Sequence, residues 1–206
     1  MPAVPAPRAL WLTGAAPPAA PAGRGGGASV DGVTRYVALL RGVNVGGITV
    51  KSAALADMAR GIGLADVRTV LASGNLLFSA GDDDRPAALK ARVEDALRDT
   101  FGYDAWIVLT TVDHLGAVID AFPFPERDAY QPYVLFGSDP VVLDELADAA
   151  GELEADDERI ARGDGVVYWE CPKGRTLDTP FAKLIGKSRY KATTTDRNLR
   201  TLRKLI

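Results

Sequence analysis

The order of strand-like and helix-like segments constrains this chain more than any other feature of its sequence. From residue 35 onward, apolar runs of strand length and stripes of helical period follow the order strand, helix, strand, strand, helix, strand. The predicted strands are residues 36–40, 67–71, 76–79 and 105–109, and the helical stripes run from Leu55 to Ile62 and from Leu89 to Leu97. This is the order of a ferredoxin-like split βαβ unit with an antiparallel sheet.

The same order recurs further along the chain with different residues. The second set of strands is predicted at residues 133–136, 159–162 and 166–171, with helices starting at Asp139-Pro140 and Thr179-Pro180. The final strand is expected in the polar stretch 188–194, followed by a helix from Thr195 or Asp196 with Leu199, Leu202 and Ile206 inward. We therefore predict an α/β (α+β) protein of two tandem ferredoxin-like halves.

The predicted halves are residues 35–111 and 131–206. Residues 112–130 join them through a helix carrying Leu115, Val118, Ile119 and Phe122 and a proline-rich linker. Pro123, Pro125 and Pro132 are expected to break the chain after that helix. Residues 1–34 precede the first half, and the first thirty are rich in alanine, proline and glycine. Such a segment loses more conformational entropy on folding than its small apolar area recovers, so we expect a disordered extension. The alternative, an export signal after Arg8, is weakened by the Pro17-Pro18 break.

Cysteine, histidine and apolar content exclude several classes of protein. The single Cys171 cannot close an internal disulfide, which favours the cytoplasm, and with one histidine no Cys/His set for zinc is present. No apolar run approaches the length of a membrane span. We expect no metal and no cofactor. His114 is interpreted as a solvated side chain, Cys171 as a packing residue, and the acidic run 82–84 as a surface feature without the spacing of a metal loop. No catalytic constellation is recognised, and the oligomeric state stays open.

The net charge of −3 conceals an uneven distribution. Residues 183–206 carry eight basic side chains and the single acid Asp196, while the preceding body is acidic. A basic segment attracts phosphate groups, so nucleic-acid binding through Arg200, Arg203 and Lys204 is one alternative. The reading we favour is neutralisation of the acidic run from Asp139 to Glu158, because the segment lacks the interleaved aromatic residues of a single-strand binding platform.

Three polar loops are the candidates for a binding site. The first, Arg41 to Gly47, lies between a buried strand and a helix, where glycine backbone and a helix N-terminus suit an anion. Its spacing matches neither a Walker loop nor GxGxxG. The others are Ser73-Gly74-Asn75 and Thr193 to Asn198. Each loop also has an ordinary explanation: a strand-to-helix turn, a hairpin turn, and a capping cluster with a surface arginine.

The first loop and its strand carry a resemblance to a known family. Residues 38–47, Ala-Leu-Leu-Arg-Gly-Val-Asn-Val-Gly-Gly, resemble a signature of the uncharacterised bacterial family called domain of unknown function 1697 (DUF1697). Residues 64–78 and 195–201 are similar to two further signatures, so the resemblance runs from about residue 35 to the end. It implies two tandem ferredoxin-like halves, and it implies no reaction.

The family signatures coincide with the three polar loops, and core packing does not require such residues there. We therefore expect the loops to converge on one pocket for an anionic ligand, phosphorylated or nucleotide-like. In this hypothesis two arginines are charge partners, two glycines cradle the anion and asparagines orient it. The predicted site residues are Arg41, Asn44, Gly46, Gly47, Ser73, Asn75, Arg197 and Asn198. Nucleic-acid binding and an enzyme of unknown reaction remain the alternatives.

Overall fold

A computed structural model describes residues 32–42, 50–71, 74–81, 84–102, 106–153 and 157–206 of the chain. The first half contains β1 (Val33–Arg41), α1 (Ser52–Gly61), β2 (Ala65–Thr69), β3 (Asn75–Gly81), α2 (Pro86–Phe101) and β4 (Trp106–Thr111). The connecting helix is α3 (Val112–Asp120). The second half contains β5 (Tyr130–Gly137), α4 (Pro140–Ala150), β6 (Arg159–Arg162), β7 (Val166–Pro172), α5 (Pro180–Ile185), α6 (Ser188–Lys191), β8 (Thr194–Asn198) and α7 (Leu199–Leu202).

Each half forms one four-stranded sheet in which every neighbouring pair is antiparallel. The first sheet has the order β2-β3-β1-β4 and the second has the order β6-β7-β5-β8. The two orders are the same when the strands are counted from the start of each half. The prediction of two tandem ferredoxin-like halves is therefore confirmed. The predicted extension at residues 1–34 lies outside the described residues except for its last three, and β1 begins at Val33.

Three layers of apolar side chains hold the sheets and helices together. Alternation along β1 sends Leu40 to the face covered by α1 and α2, and Leu39 to the opposite face. The far face of the second sheet packs on α4, α5 and α6 around Trp169 and Phe181. Between the two sheets lies a shared layer, here called the inter-sheet core, of Val37, Leu39, Leu77, Leu115, Val118, Ile119, Val134, Phe136, Val166, Tyr168, Leu199, Leu202 and Leu205. The halves thus share one core rather than meeting at a polar interface.

The last part of the chain differs from the prediction. The final strand is β8 at Thr194–Asn198, whereas residues 188–191 form the short helix α6. β8 is a strand because it pairs with the buried strand β5, and its threonines suit a pleated, half-buried surface. The following helix begins at Leu199, after Asn198, whose side chain accepts from the Arg200 N–H at 2.9 Å. Leu205 is buried, while Ile206, predicted to be inward, is 53% exposed.

Pro132 does not break the chain as predicted, because it lies inside β5. There it faces Glu170 of β7, whereas the pairing of β5 with β8 begins one residue later, at Tyr133. The missing N–H of proline is therefore compatible with the ladder at this position. Phe122 also falls beyond the end of α3, although its ring packs edge-on against Tyr168 with centroids 5.5 Å apart.

Substitution of glycine by alanine is expected to have opposite effects on stability at two positions, Gly116 and Gly163. Gly116 lies within α3 with no atom within 4 Å of a built Cβ, so Gly116→Ala is expected to raise the free energy of unfolding by about 0.5–1 kcal/mol through helix propensity. A Cβ on Gly163 would lie 2.6 Å from the ring of Tyr168 and 2.7 Å from Val166, both buried. Gly163→Ala is expected to lower the same quantity by about 1–3 kcal/mol. Urea denaturation measures both, and equal effects of the two substitutions would contradict this packing.

Candidate functional site

Three of the predicted site residues meet where β8 approaches the first sheet; we call this place the junction and define it by Arg41, Asn75 and Arg197. Arg197 faces the inter-sheet core, because it pairs in register with Val134. Only 9% of Arg197 is exposed. Its Nε donates to Oδ1 of Asn75 at 2.9 Å, and its Nη2 donates to the Leu40 carbonyl at 2.6 Å. An arginine of the second half therefore binds two segments of the first.

The Leu40 carbonyl accepts from Arg197 because β1 extends past the end of β3. The register of β1 and β3 ends at the pair of Leu39 with Asn75. Beyond it, the Leu40 N–H still donates to the Gly74 carbonyl at 2.8 Å. Gly74 has a φ of +69°, a left-handed conformation that glycine adopts without strain. Arg197 thus donates to the first carbonyl of β1 beyond the end of the β1–β3 ladder.

The rest of the Arg197 guanidinium binds its own strand. Its Nη1 donates to Oγ1 of Thr195 and to the Asp196 carbonyl, both at 2.8 Å. Burial lowers the pKa of Arg197 to about 10, and the nearby Asp196 carboxylate opposes the shift. Arg197 is therefore charged at neutral pH while it bridges β8, β1 and the turn before β3.

Asn75 orients the acceptor that Arg197 uses. Its side chain is fully buried, and Nδ2 donates to the Val70 carbonyl at 2.9 Å. The Asn75 carbonyl in turn accepts from the Val70 N–H at 3.1 Å. The same asparagine therefore closes the hairpin between β2 and β3 and presents Oδ1 to the second half.

Arg41 ends β1 and lies half-buried at the rim of the junction. Its Nε donates to the Thr194 carbonyl of β8 at 3.0 Å. Within the described ranges, no hydrogen-bond acceptor and no carboxylate partner is found for its two Nη groups. Burial lowers the pKa of Arg41. Arg41 is therefore a partly desolvated cation at the junction, and its two Nη groups have no hydrogen-bond acceptor among the described residues.

The other predicted site residues divide into two groups. Asn44, Gly46, Gly47 and Ser73 lie outside the described residues. Asn198 is next to Arg197 in sequence, but its side chain caps α7 instead of joining the junction. Sequence reasoning missed the carbonyls of Leu40 and Thr194, because a backbone acceptor carries no residue-specific signal.

Three arginines of the basic C-terminal segment lie close to two acidic side chains in the body of the protein. Arg189 forms an ion pair with Glu145, which belongs to the acidic run from Asp139 to Glu158. Arg203 pairs with Glu126, and Arg200 lies 3.9 Å from the same carboxylate. The predicted neutralisation is thus found in part, with Glu126 as a partner outside the predicted run.

Two buried carboxylates in the second half have structural partners. Glu170, 1% exposed, accepts from Arg127 and from Arg159, each at 2.7 Å. Glu158 accepts from the Trp169 indole N–H at 2.7 Å and from the Phe181 N–H at 3.0 Å. Glu158 ends the acidic run from Asp139, and no local pattern in the sequence distinguishes it from the exposed Asp157.

The remaining candidate groups fit the ordinary interpretations. Burial raises the pKa of the Cys171 thiol to about 11, so it is protonated at neutral pH and acts as a packing residue. The exposed His114 lies in the first turn of α3, where its N–H donates to Oγ1 of Thr111 at 3.1 Å. The described part of the chain contains no group of three metal-ligating side chains and no helix of the length and apolarity that crossing a bilayer requires.

A groove of about 760 Å³ lies between α1 and α2, lined by residues such as Met58, Ile62 and Ala91. These helices cover the face of the first sheet opposite to the inter-sheet core. The groove contains none of the predicted site residues, so it is separate from the junction.

The fold and the junction define an α+β protein of two ferredoxin-like halves that share a core and are joined by a buried arginine. The chain belongs to the family described as protein of unknown function (DUF1697), whose model matches residues 33–168. The resemblance noted in the sequence is therefore confirmed. Arg41 and Asn75 lie inside the matched range, and Arg197 lies beyond it.

A solved structure of the conserved bacterial protein SP0830 from Streptococcus pneumoniae is similar to this chain. The TM-score is 0.70 at 25% sequence identity, over 84% of this chain and 96% of that one. No match is found among curated proteins. The comparisons therefore identify the family and the fold.

Proposed function

We propose that the junction binds a small anionic ligand, phosphorylated or nucleotide-like, and that Arg41 contacts the anion. The observation that carries this proposal is the state of the Arg41 guanidinium. It is held by one bond through Nε to Thr194, while its Nη groups have no partner among the described residues. Paired N–H groups of a guanidinium match two oxygens of a phosphate or carboxylate in geometry and charge.

Partial burial supports the proposal further. The pKa of Arg41 is lowered because its charge has lost part of its hydration. An anion at this position restores favourable interactions to that charge, and it does so at a lower effective dielectric than on an open surface. Arg197, charged at neutral pH, contacts the neighbouring residues of β8.

The roles differ from those first expected. Arg197 donates to Asn75, Leu40 and Thr195. In this proposal Arg197 therefore holds the residues around the site in place, and Arg41 supplies the positive charge that pairs with the anion. Gly46 and Gly47, which lie within six residues after Arg41, stay the predicted anion cradle, and Asn44 stays a residue predicted to orient the anion. We assign this function to the cytoplasm, in line with the single cysteine and a phosphorylated class of ligand.

The test is calorimetric titration with inorganic phosphate, pyrophosphate, AMP and a short oligonucleotide. We expect at least one of the small anions to bind the wild type, and Arg41→Ala to weaken that binding about tenfold or more, the effect of losing one charge-assisted pair. Arg35→Ala is the matched control, because Arg35 lies exposed on the same strand, outside the junction. Its affinity is expected to equal that of the wild type.

Two outcomes contradict the proposal. One is equal binding of small anions by wild type and Arg41→Ala, or no binding by either. The other is binding of the oligonucleotide alone, unaffected by Arg41→Ala, which favours the nucleic-acid alternative through Arg200, Arg203 and Lys204.

A further inference from the structure

We infer that Arg197 is a positioning residue for Arg41, so that the second half of the chain assembles the anion site of the first. This inference rests on the proposed function and adds a residue that acts without touching the ligand. It follows from how β8 holds both the backbone before Arg41 and the side chain of Arg41 itself.

The Arg197 side chain helps to fix the backbone before Arg41. Both polar groups of Leu40 are engaged, because its N–H donates to Gly74 at 2.8 Å and its carbonyl accepts from Arg197 at 2.6 Å. The Gly74 carbonyl also lies 3.5 Å from the Arg197 Nη2. Leu40 and Arg41 also pair with Ile107 and Trp106 of β4, so the β4 ladder and the bonds on the Arg197 side together fix the backbone from which the Arg41 side chain leaves β1.

The side chain of Arg41 is held by the backbone of β8. Its acceptor is the Thr194 carbonyl at 3.0 Å, and Thr194 is itself anchored in the second half. Oγ1 of Thr194 donates to the Tyr190 carbonyl at 2.9 Å, and the Tyr190 hydroxyl donates to Glu145 at 2.9 Å. The guanidinium of Arg41 is therefore held by a chain of bonds that lies in the second half.

Lysine at position 197 separates the charge of this residue from its geometry. An ammonium keeps the positive charge, but it is a compact point donor without the planar fork of a guanidinium. It cannot donate at once to Asn75 on one side and to the Leu40 carbonyl on the other in the way the guanidinium does. Arg197→Lys therefore removes the positioning of Arg41 while the local charge is conserved.

The experiment is a double-mutant cycle on phosphate affinity, or on the affinity of the small anion that binds the wild type most tightly. The Kd is measured for wild type, Arg197→Lys, Arg41→Ala and the double variant. We expect Arg197→Lys to raise the Kd about tenfold in the wild-type background and to have no further effect in the Arg41→Ala background. A non-additive cycle is the signature of one residue acting through the other.

Leu89→Ala is the control for a merely structural role. Leu89 is almost fully buried near the start of α2, which follows the end of β3 that pairs with Val33, eight residues before Arg41. This substitution is expected to lower the unfolding temperature and to leave the Kd unchanged when binding is measured well below that temperature.

A second variant tests the positioning role if Arg197→Lys does not fold. Thr195→Val removes the Oγ1 acceptor of Arg197 with little change of shape, and we expect a smaller rise in Kd, about threefold.

The results that overturn this inference are distinct from those that overturn the proposed function. If Arg41→Ala weakens binding but both position-197 and position-195 variants bind like the wild type, the positioning role fails and the anion site stands. An equal loss from Arg197→Lys in both backgrounds, or from Leu89→Ala, also overturns it. If Arg41→Ala binds like the wild type, the proposed function itself fails.

Discussion

Arg197→Ala is expected to lower the free energy of unfolding by about 3 kcal/mol. The substitution leaves the Asn75 Oδ1 and the Leu40 carbonyl without the donor that Arg197 supplies to them at 2.9 Å and 2.6 Å. Asn75 and Leu40 are fully or almost fully buried, so water does not replace the guanidinium without rearrangement. The loss exceeds that of an ordinary surface arginine because several acceptors lose their donor at once.

Urea denaturation monitored by circular dichroism measures this effect, and Arg200→Ala is the matched control. Arg200 is an exposed arginine of α7, and its ion pair with Glu126 has a separation of 3.9 Å. Exposed pairs of this kind contribute little, so we expect a change within about 0.5 kcal/mol. A loss below about 1 kcal/mol for Arg197→Ala would show that the junction contributes little to stability.

Leu39→Ala is expected to lower the free energy of unfolding by about 3–4 kcal/mol and to destabilise both halves together. Leu39 is fully buried in the inter-sheet core, a cluster that contains residues of both sheets and of α3 and α7. Because this core belongs to neither half alone, we expect the protein to unfold in a single transition before and after the substitution.

Tryptophan fluorescence gives a separate probe for each half, since Trp106 lies in β4 and Trp169 in β7. Two variants are needed, each with a single tryptophan. One keeps Trp106 and the other keeps Trp169, and phenylalanine replaces the other two tryptophans, including Trp11. The urea midpoints of the two variants are expected to coincide. Leu39→Ala is expected to shift both by the same amount. A shift seen by Trp106 alone contradicts a shared core. Leu177→Ala, at a position 86% exposed, is the control and is expected to change stability by less than about 0.5 kcal/mol.

Much of the fold could be predicted from the sequence where local chemistry decides the structure. Asp139 and Pro140 begin α4 as expected, with the Asp139 side chain accepting from the Val141 N–H at 2.9 Å. The hairpin of β6 and β7 follows from its glycine-containing turn. In contrast, β8 has a polar sequence whose strand conformation comes from pairing with β5, a contact distant in sequence. Local patterns do not contain that information.

Three residues of the candidate site were predictable from the sequence, but their contacts were not. Arg41, Asn75 and Arg197 belong to three family-like motifs, and the structure brings them together. What the sequence does not reveal is the direction of each donor. Arg197 lies on the face of β8 toward the inter-sheet core, so its guanidinium binds the first half, and that orientation depends on the register between β5 and β8.

The inter-sheet core also has a consequence for the order of events during synthesis. The first half is translated before β5 exists, and its sheet then has one face, with Val37, Leu39 and Leu77, that only α3 can begin to cover. The apolar face of the second sheet is closed only when it docks on that earlier surface. A nascent chain released before β5 and β7 are made therefore leaves this apolar surface exposed, and such a surface favours chaperone binding and aggregation.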